Sequence, residues 1–178
     1  MPVPVTFPQL MTDTQRIGRN VIVNVGDWQG LLETNKVAFF TGWVQRPEFL
    51  ARFPLGMSAA DFVNTLNSNT SNSLTPPETQ PLINQLAANN TTQGRAAAVR
   101  QVSENAEFTR REKNKAFVLM QYFGYLRRNP NDPPEAELNF NGYNFWLAKL
   151  NQHNGNFIQA EMVKSFIVSG EYKRRFGL

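Results

Sequence analysis

The segment NAEFTRRE, residues 105–112, recurs twice in the chain with its pattern preserved. RPEFLARF occupies residues 46–53, and SGEYKRRF occupies residues 169–176. Each copy contains a Glu-aromatic pair with arginine downstream. We interpret the pair as a structural device, in which the aromatic ring anchors in a core between repeated units and Glu and Arg pair at its edge. Three copies of one device are poor candidates for a single active centre.

The similarity between the second and third copies extends backward without a gap. Residues 74–108 and 138–172 have equal length at an offset of 64 residues, and apolar positions match apolar positions, as Val102 matches Phe166. The first copy agrees from about Val37 onward at an offset of 59 residues. A repeated helical unit of about 60 residues, which buries its apolar stripe against its neighbour, accounts for this pattern.

Helical periodicity dominates the rest of the chain, because apolar residues recur at spacings of three and four. Helix-start signals coincide with this pattern. Ser58 is a suitable N-cap. Thr75, followed by Pro76 and Glu78, forms a capping-box pattern. The sequence therefore predicts an all-α fold, a compact bundle of about seven or eight helices built from related helical repeats.

The domain organisation follows from the repeats. We expect residues 1–55 to form an N-terminal helical segment with a partial repeat. A degenerate unit follows at residues 56–112, and the best-preserved unit occupies residues 113–178. All three belong to one compact domain overall, since 178 residues with 41% hydrophobic content are the size of one ordinary domain.

Three local expectations concern element boundaries. The β-branched run at residues 21–25 could be a strand, although it has no obvious partner. The polar stretch NSNTSNS at residues 67–73 is the best internal linker candidate. The last helices are expected near residues 143–150, 157–168 and 171–176.

Composition excludes several classes of site. The chain has no cysteine, which rules out disulfides, thiolate metal ligands and cysteine nucleophiles, and its one histidine, His153, rules out any site that needs two imidazoles. The net charge is +4 and 18% of the residues are charged, so there is no concentrated basic field for a phosphate backbone. We therefore expect no nucleic-acid partner.

The N-terminal residues MPVPVTFPQL lack the basic start and long apolar run of a signal peptide. No apolar run approaches the roughly 18 residues that span a bilayer, so we expect no membrane insertion. The chain is then either cytosolic or an excised piece of a longer exported protein, and its Met-Pro-Val-Pro start favours the second. The expected location is secreted or at the cell surface, as part of a longer chain.

The stretch YLRRNPND, residues 125–132, ends a segment rich in Phe and Tyr. A nucleic-acid patch, a metal loop and a plain helix stop all suit this pattern, and we favour the helix stop. Arg127 and Arg128 would close the helix through its dipole and its unpaired carbonyls. Pro130 would prevent its continuation, and Asp132 would start the next loop.

The string LRRNPND at residues 126–132, followed by GYNFW at 142–146 and SGEY at 169–172, resembles the bacterial domain-of-unknown-function family numbered 4214. Its usual pattern is an aromatic helix, an L-x-R-x-P-D turn, a G-x-x-x-W start to the next helix and a final S-x-E-F. The best match covers residues 116–177, with a degenerate copy over roughly residues 62–112.

The family is similar in turn to the linker domains of phycobilisomes, the cyanobacterial antennae, which are helical, non-enzymatic assembly modules. Its members usually occur inside long exported or surface proteins, often beside calcium-binding repeats or adhesion domains. The resemblance therefore implies a helical, non-catalytic module and brings no catalytic residues with it. This chain departs from the pattern by an extra Asn between Pro130 and Asp132, and by the longer segment PPEAELNFN at residues 133–141.

A weak calcium candidate lies in this turn. Asn131, Asp132 and Glu135, with Asn129 and Glu137 nearby, could supply hard oxygen ligands to Ca²⁺. The spacing does not match an EF-hand, so an Asx or proline turn is the alternative interpretation. We expect no cofactor, with calcium as the candidate ion if one binds.

Aromatic and amide side chains near the next helix have the mixture that a sugar needs, flat faces for stacking and amides for hydroxyls. The candidate ligand-binding residues are Asn141, Tyr143, Asn144, Trp146, His153 and Asn154. Tyr143, Trp146 and Leu150 also share one helical stripe, which is typical of a core. A glycan contact and core packing both stay open.

The favoured function is a non-catalytic interaction or adhesion module of a larger secreted or surface bacterial protein, whose partner is a surface glycan or another protein. The alternative is a carbohydrate-active glycoside hydrolase, which needs two carboxyl groups at a suitable separation. Its candidates are Glu135 and Glu137 beside the aromatic cluster, and Glu161 on the adjacent helix.

Overall fold

The computed structural model describes residues 5–177, and over this range the chain is all-α with no strand. Eight of the ten α-helices are seven residues or longer, so the predicted fold class and helix number are confirmed. One π-helical turn, Tyr122–Leu126, follows α7. The helices are α1 (Phe7–Ile17), α2 (Trp28–Trp43), α3 (Pro47–Leu50), α4 (Ala59–Asn69), α5 (Pro76–Ala88), α6 (Thr92–Ser103), α7 (Ala106–Gln121), α8 (Asn141–Gln152), α9 (Met162–Val168) and α10 (Gly170–Arg174).

The chain divides into two compact units. Unit 1 combines the N-terminal residues through Leu10 with the chain from Arg111 onward, and unit 2 is Met11–Arg110. The boundaries fall inside α1 and inside α7. None of the helices formed by residues 5–177 is long and apolar enough to cross a bilayer.

Unit 2 packs α2, α4, α5 and α6 around one apolar core. Two of these helices begin as the sequence predicts. The Ser58 hydroxyl accepts a hydrogen bond from the Asp61 amide, and Thr75 and Glu78 form the reciprocal capping box. Pro47 opens α3 directly after the break at Arg46. The most deeply buried large side chains of this core are Phe62, Val63 and Leu86.

Unit 1 has its own core, formed by the second half of α7, the π-helical turn, α8 and α9. Val118, Leu150 and Met162 are fully buried in it. The start of α1 packs on the same core, where the Phe7 ring lies 5.7 Å from the Phe123 ring. This core positions the groove described below.

The possible strand at residues 21–25 is wrong. The run lies in turns, and Ile22, Val23 and Val25 are each more than half exposed. Asn24 adopts a left-handed conformation with φ 65°, which interrupts an extended backbone. A strand without a partner would also leave its amides and carbonyls unpaired, so β-branched composition alone does not make one.

The polar stretch at residues 67–73 is a tight connection rather than an open linker. Helix α4 continues through Asn69, and the Asn67 side chain bonds both the amide and the carbonyl of Leu74, at 2.8 and 3.2 Å. These two bonds hold the start of the next segment against the end of α4.

The expected helix over residues 157–168 is shorter than predicted, because α9 begins only at Met162. The Asn156 side chain accepts hydrogen bonds from the amides of Ile158 and Gln159, which offers the backbone a turn instead of a helix. Glu161 then has a left-handed φ of 51°, so the helix cannot extend backward through it.

The three copies of the Glu-aromatic segment share one local conformation. Each begins a new helix, α3, α7 or α10, with Glu second and the aromatic residue third. In the later copies the preceding side chain caps that helix: Asn105 accepts from the Phe108 amide and Ser169 from the Tyr172 amide. The device is thus a helix start, with Phe49 buried and the other two aromatic rings half-buried. That the surrounding units are related repeats stays a prediction.

Arg95 is the most unusual buried group of unit 2, since it is 3% exposed and has no acidic partner within residues 5–177. Its guanidinium lies 5.1 Å from the Phe62 ring centroid, and desolvation by burial lowers its pKa from the usual value. All of its hydrogen bonds go to neutral acceptors: the carbonyls of Phe53, Pro54, Leu55 and Met57, and the Asn90 side-chain oxygen.

Replacing Arg95 with methionine should lower the free energy of unfolding by about 2–4 kcal/mol, because several turn carbonyls would lose their donor in a buried site. Chemical denaturation followed by circular dichroism measures this change. The exposed Arg52 is the matched control, and its replacement by methionine should stay within about 0.5 kcal/mol of the wild type. Equal losses in the two variants would contradict the importance of these bonds.

The capping box predicts a pH dependence. The Thr75 amide and hydroxyl donate to Glu78 at 2.8 and 2.7 Å, and these bonds lower the Glu78 pKa below the ordinary 4.5. A lowered carboxyl pKa stabilises the fold above the unfolded-state pKa, and this contribution disappears as the pH falls through the folded-state pKa. Below pH 4.5, wild-type melting temperature should therefore fall more steeply with acid than that of Glu78→Gln. Superimposable melting curves of the two proteins across this range would refute it.

Candidate functional site

A groove on unit 1 brings together aromatic, hydroxyl and charged side chains. Its volume is ≈ 260 Å³. The π-helical turn, the loop that follows it, and α8, α9 and α10 all contribute to its walls. The lining residues are Tyr122, Leu126, Arg128, Glu135, Gly142, Trp146, Ser165, Phe166, Ser169 and Glu171.

A larger concavity lies on unit 2 between α4 and α5, with a volume of ≈ 480 Å³. Amide and hydroxyl side chains such as Asn64, Asn72 and Thr79 line it, together with Leu74, Pro76 and Ile83. No aromatic ring and no ionisable group is among its lining residues. We therefore take the smaller groove, which has both, as the candidate site.

Tyr122 forms part of the groove from the π-helical turn, a helix type that often marks functional positions. Its ring is 3% exposed and packs edge-on against Phe166 at 5.1 Å. Burial raises the Tyr122 pKa to about 12, with Glu135 and Glu171 adding to the rise and Arg128 opposing it. The hydroxyl is therefore protonated at neutral pH and can donate a hydrogen bond.

Arg128 stabilises the turn that follows the aromatic helix, whereas the sequence predicted that it would close the helix itself. The guanidinium binds the Glu171 carboxylate at 2.6 and 3.0 Å, instead of closing the helix before it. It also donates to the turn carbonyls of Asn129, Pro130 and Asp132. Every acceptor therefore lies in the turn or in α10.

Arg127 ends the π-helical turn in a left-handed conformation, φ 55°, with its side chain exposed. Pro130 is fully buried in the following turn, as a helix stop requires. Arg110 and Arg111, the adjacent arginines of the segment at residues 105–112, lie within α7. Glu107 pairs with Arg110 there at 2.8 Å.

Gly142 gives the groove its polar floor. A Cβ added at this position would lie 2.8 Å from the Tyr122 hydroxyl oxygen and 3.4 Å from a Glu135 carboxylate oxygen. The hydroxyl and the carboxylate therefore both approach the backbone of α8 where a side chain would otherwise stand. Glycine at the start of GYNFW thus has a local reason, since any larger residue would push into the groove.

Trp146 supplies the large aromatic surface. Its ring is half-buried and lies 5.6 Å from Phe166 and 5.2 Å from Phe145. The Lys149 ammonium lies 5.3 Å from the Trp146 ring, although Lys149 is not among the residues that line the groove. Trp146 is therefore anchored in the core and also borders the groove.

The Glu135 carboxylate differs from the Glu171 carboxylate in its bonding. Within residues 5–177 its carboxylate forms no hydrogen bond and no ion pair, and only its backbone is bonded, to Asp132 and Leu138. It is half-exposed in the wall of the groove. The groove thus contains one engaged carboxylate and one that is available to a ligand.

The structure separates the six candidate sugar-binding residues. Trp146 lines the groove. Tyr143 is buried in the core, where its hydroxyl bonds the Lys115 carbonyl at 3.2 Å and burial raises its pKa. The Asn141 amide bonds Glu137. The remaining three do not line the groove: Asn144 is exposed on α8, His153 ends α8, and Asn154 follows with φ 51°.

The three candidate hydrolase carboxylates do not meet in the groove. Glu135 lines it, whereas Glu137 bonds the side chains of Asn139 and Asn141, and Glu161 pairs with Lys164 at 3.4 Å. The second carboxylate of the groove is Glu171, which sequence reasoning did not single out.

The candidate calcium ligands are already partly engaged. The Asp132 carboxylate accepts two hydrogen bonds from Asn129, and the Asn129 side-chain oxygen accepts from the Phe7 amide at 2.6 Å. In the described part of the chain no three His, Cys, Asp or Glu side chains are placed to hold a metal ion. The calcium site at Asn131, Asp132 and Glu135 stays a prediction.

Sequence reasoning missed Tyr122, Gly142 and Glu171 as parts of the site. Glu171 carried a signal, because it is the Glu of the third Glu-aromatic copy and was expected to pair with an arginine. Its partner lies 43 residues earlier, at Arg128, and no short-range spacing identifies it.

Comparison of the chain with protein-family models, with curated proteins and with solved structures gave no match. The assignment of a function therefore depends on the groove itself.

Arg128→Lys should lower the free energy of unfolding by about 2–3 kcal/mol, because an ammonium cannot bind Glu171 through two parallel bonds and also serve the turn carbonyls. Urea denaturation measures the loss. Arg127→Lys changes the exposed neighbour in the same way and should leave the stability unchanged within about 0.5 kcal/mol. A stable Arg128→Lys protein would show that the turn does not need the guanidinium.

Proposed function

We propose that this chain is a non-catalytic interaction or adhesion module of a larger secreted or surface bacterial protein, and that its unit 1 groove binds a surface glycan. One observation carries the proposal: Trp146, the Tyr122 hydroxyl and the unpaired Glu135 carboxylate line the same groove.

This combination suits carbohydrate chemistry. A sugar ring has an apolar face that packs on an aromatic side chain, and its hydroxyls need donors and acceptors at the edge. Trp146 and Phe166 provide the apolar part of the groove. The Tyr122 hydroxyl can donate, as a protonated tyrosine does, and the Glu135 carboxylate can accept.

The arrangement favours binding over hydrolysis. A glycosidase needs one carboxyl as the acid and a second as nucleophile or base. In this groove the second carboxylate, Glu171, is held by the guanidinium of Arg128 through two hydrogen bonds. Only Glu135 is left to act on a ligand, and one carboxylate can bind a sugar without cleaving it.

The resemblance to family 4214 also supports this proposal. The groove lies within residues 116–177, the segment that resembles the family, and its walls include Arg128, Gly142, Trp146 and Glu171 from the shared pattern. We propose that this segment is a divergent relative of that family and shares its non-enzymatic character.

An NMR titration tests the proposal. The chain has three tryptophans, and Trp28 and Trp43 lie in unit 2. Soluble oligosaccharides of N-acetylglucosamine, glucosamine, mannose and galactose should be added separately to the ¹⁵N-labelled chain. We expect at least one of them to shift the Trp146 indole resonance and to leave the other two indoles in place. Trp146→Phe assigns the resonance.

Gly142→Ala should weaken that binding roughly tenfold, because its methyl group would enter the polar floor of the groove. Gly56→Ala is the matched control, since a Cβ there meets no atom within 4 Å. A parallel assay for released reducing sugar should show no turnover. If sugar is released and Glu135→Gln abolishes the release, the chain is a hydrolase and the proposal of a binding module is wrong. If none of the four sugars shifts the Trp146 resonance, the proposal of a glycan ligand is wrong.

A further inference from the structure

The groove carries a net negative charge. Three of its lining residues have charged side chains, the cation Arg128 and the carboxylates Glu135 and Glu171. Arg128 and Glu171 neutralise each other across their two hydrogen bonds. The charge of Glu135 is left over, so the groove has a net charge of −1.

Arg128 cannot move to bind Glu135 without losing the hydrogen bonds that hold the turn after the π-helical segment. Its Nε and one terminal nitrogen bind Glu171, and its other terminal nitrogen donates to three backbone carbonyls. A move toward Glu135 would leave those partly buried carbonyls without a donor, which is costly. Arg128 attracts Glu135 electrostatically, but its N–H groups are engaged elsewhere, so the Glu135 carboxylate is left without a hydrogen-bonded cation.

The aromatic rings that line the groove also favour a cation. Tyr122, Trp146 and Phe166 line the groove, and the face of an aromatic ring carries partial negative charge that attracts ammonium groups. Two nearby side chains already show this attraction: the Arg128 guanidinium lies 5.3 Å from the Tyr122 ring, and the Lys149 ammonium lies 5.3 Å from the Trp146 ring.

We propose that the groove selects a ligand with a protonated primary amine, and that this ligand is an amino sugar with a free amine. This inference rests on the proposed function, because it names the class of glycan that the same groove takes. The ammonium pairs with the Glu135 carboxylate, the sugar ring packs on Trp146, and the Tyr122 hydroxyl donates to a ring hydroxyl.

An amino sugar suits the groove better than a lysine side chain. At ≈ 260 Å³ the groove is slightly below the roughly 300–1,000 Å³ typical of drug-sized ligands, which leaves room for a sugar ring. A lysine side chain is a thin apolar stem with one charge, and it has no hydroxyl for Tyr122. The sugar uses the ring, the hydroxyl and the carboxylate together.

The test compares two oligosaccharides of equal length, β-1,4-linked glucosamine and its N-acetylated counterpart, by calorimetry in mildly acidic buffer where the amine is protonated. The wild-type chain should prefer the glucosamine oligomer by about tenfold, since a hydrogen bond to a charged group is stronger than one between neutral groups. Added salt should reduce the preference, because it screens the exposed charge pair.

Glu135→Gln should abolish the preference and retain the weaker binding of the N-acetylated oligomer. Glu137→Gln is the matched control, because Glu137 lies in the same loop but does not line the groove, and it should preserve the preference. The wild-type preference and its salt dependence decide the matter even if Glu135→Gln does not fold.

The possible failures are distinguishable. If the wild-type chain binds both oligomers equally, or binds the N-acetylated one more tightly, the amine assignment is overturned and the glycan-binding function stands. If neither oligomer binds and the four-sugar titration is also silent, the proposed function itself fails. A further outcome is that Nα-acetyl-lysine methylamide, whose side-chain amine is free, binds in a Glu135-dependent manner while the glucosamine oligomer does not. The ligand would then be a lysine of a protein partner and not an amino sugar.

Discussion

The bond between Arg128 and Glu171 is the interaction on which the candidate site depends. The chain leaves the aromatic helix through a π-helical turn and then makes a turn whose carbonyls are partly buried, so a donor must be supplied there. Arg128 supplies it to three carbonyls and extends to α10 through Glu171. One guanidinium thus holds the turn closed and fixes a wall of the groove, 43 residues away in the sequence.

Unit 2 meets the same constraint with Arg95, and the difference between the two arginines is informative. Both gather carbonyls of an irregular turn and lie over an aromatic ring, Phe62 for Arg95 and Tyr122 for Arg128. In the described part of the chain Arg95 has only neutral acceptors, and burial lowers its pKa. Arg128 has a carboxylate, whose pairing offsets the cost of burial. The second solution brings an acidic residue to the groove and leaves Glu135 as its unbalanced charge.

Local signals predicted the elements well and the site poorly, for a physical reason. The capping box at Thr75, the break at Pro47 and the all-α pattern depend on neighbours three or four residues apart, which the sequence displays directly. The groove depends on pairs such as Arg128 with Glu171, whose spacing has no period. The expected strand at residues 21–25 shows where a local signal fails. A β-branched residue such as Val23 favours a strand only when a partner strand can satisfy its backbone.

The segment at residues 133–141, which leads from the turn at Pro130 into helix α8, supplies Glu135 to the groove. Four other residues form the frame of the groove: Arg128 and Glu171 form the closed pair, Gly142 opens space over the backbone, and Trp146 provides the ring. Since the charges of Arg128 and Glu171 cancel, these four residues carry no net charge. Residues 133–141 add one carboxylate, Glu135, that no hydrogen bond or ion pair within residues 5–177 uses. Because this carboxylate lines the same groove as Tyr122, Trp146 and Phe166, we propose that a ligand supplies its partner.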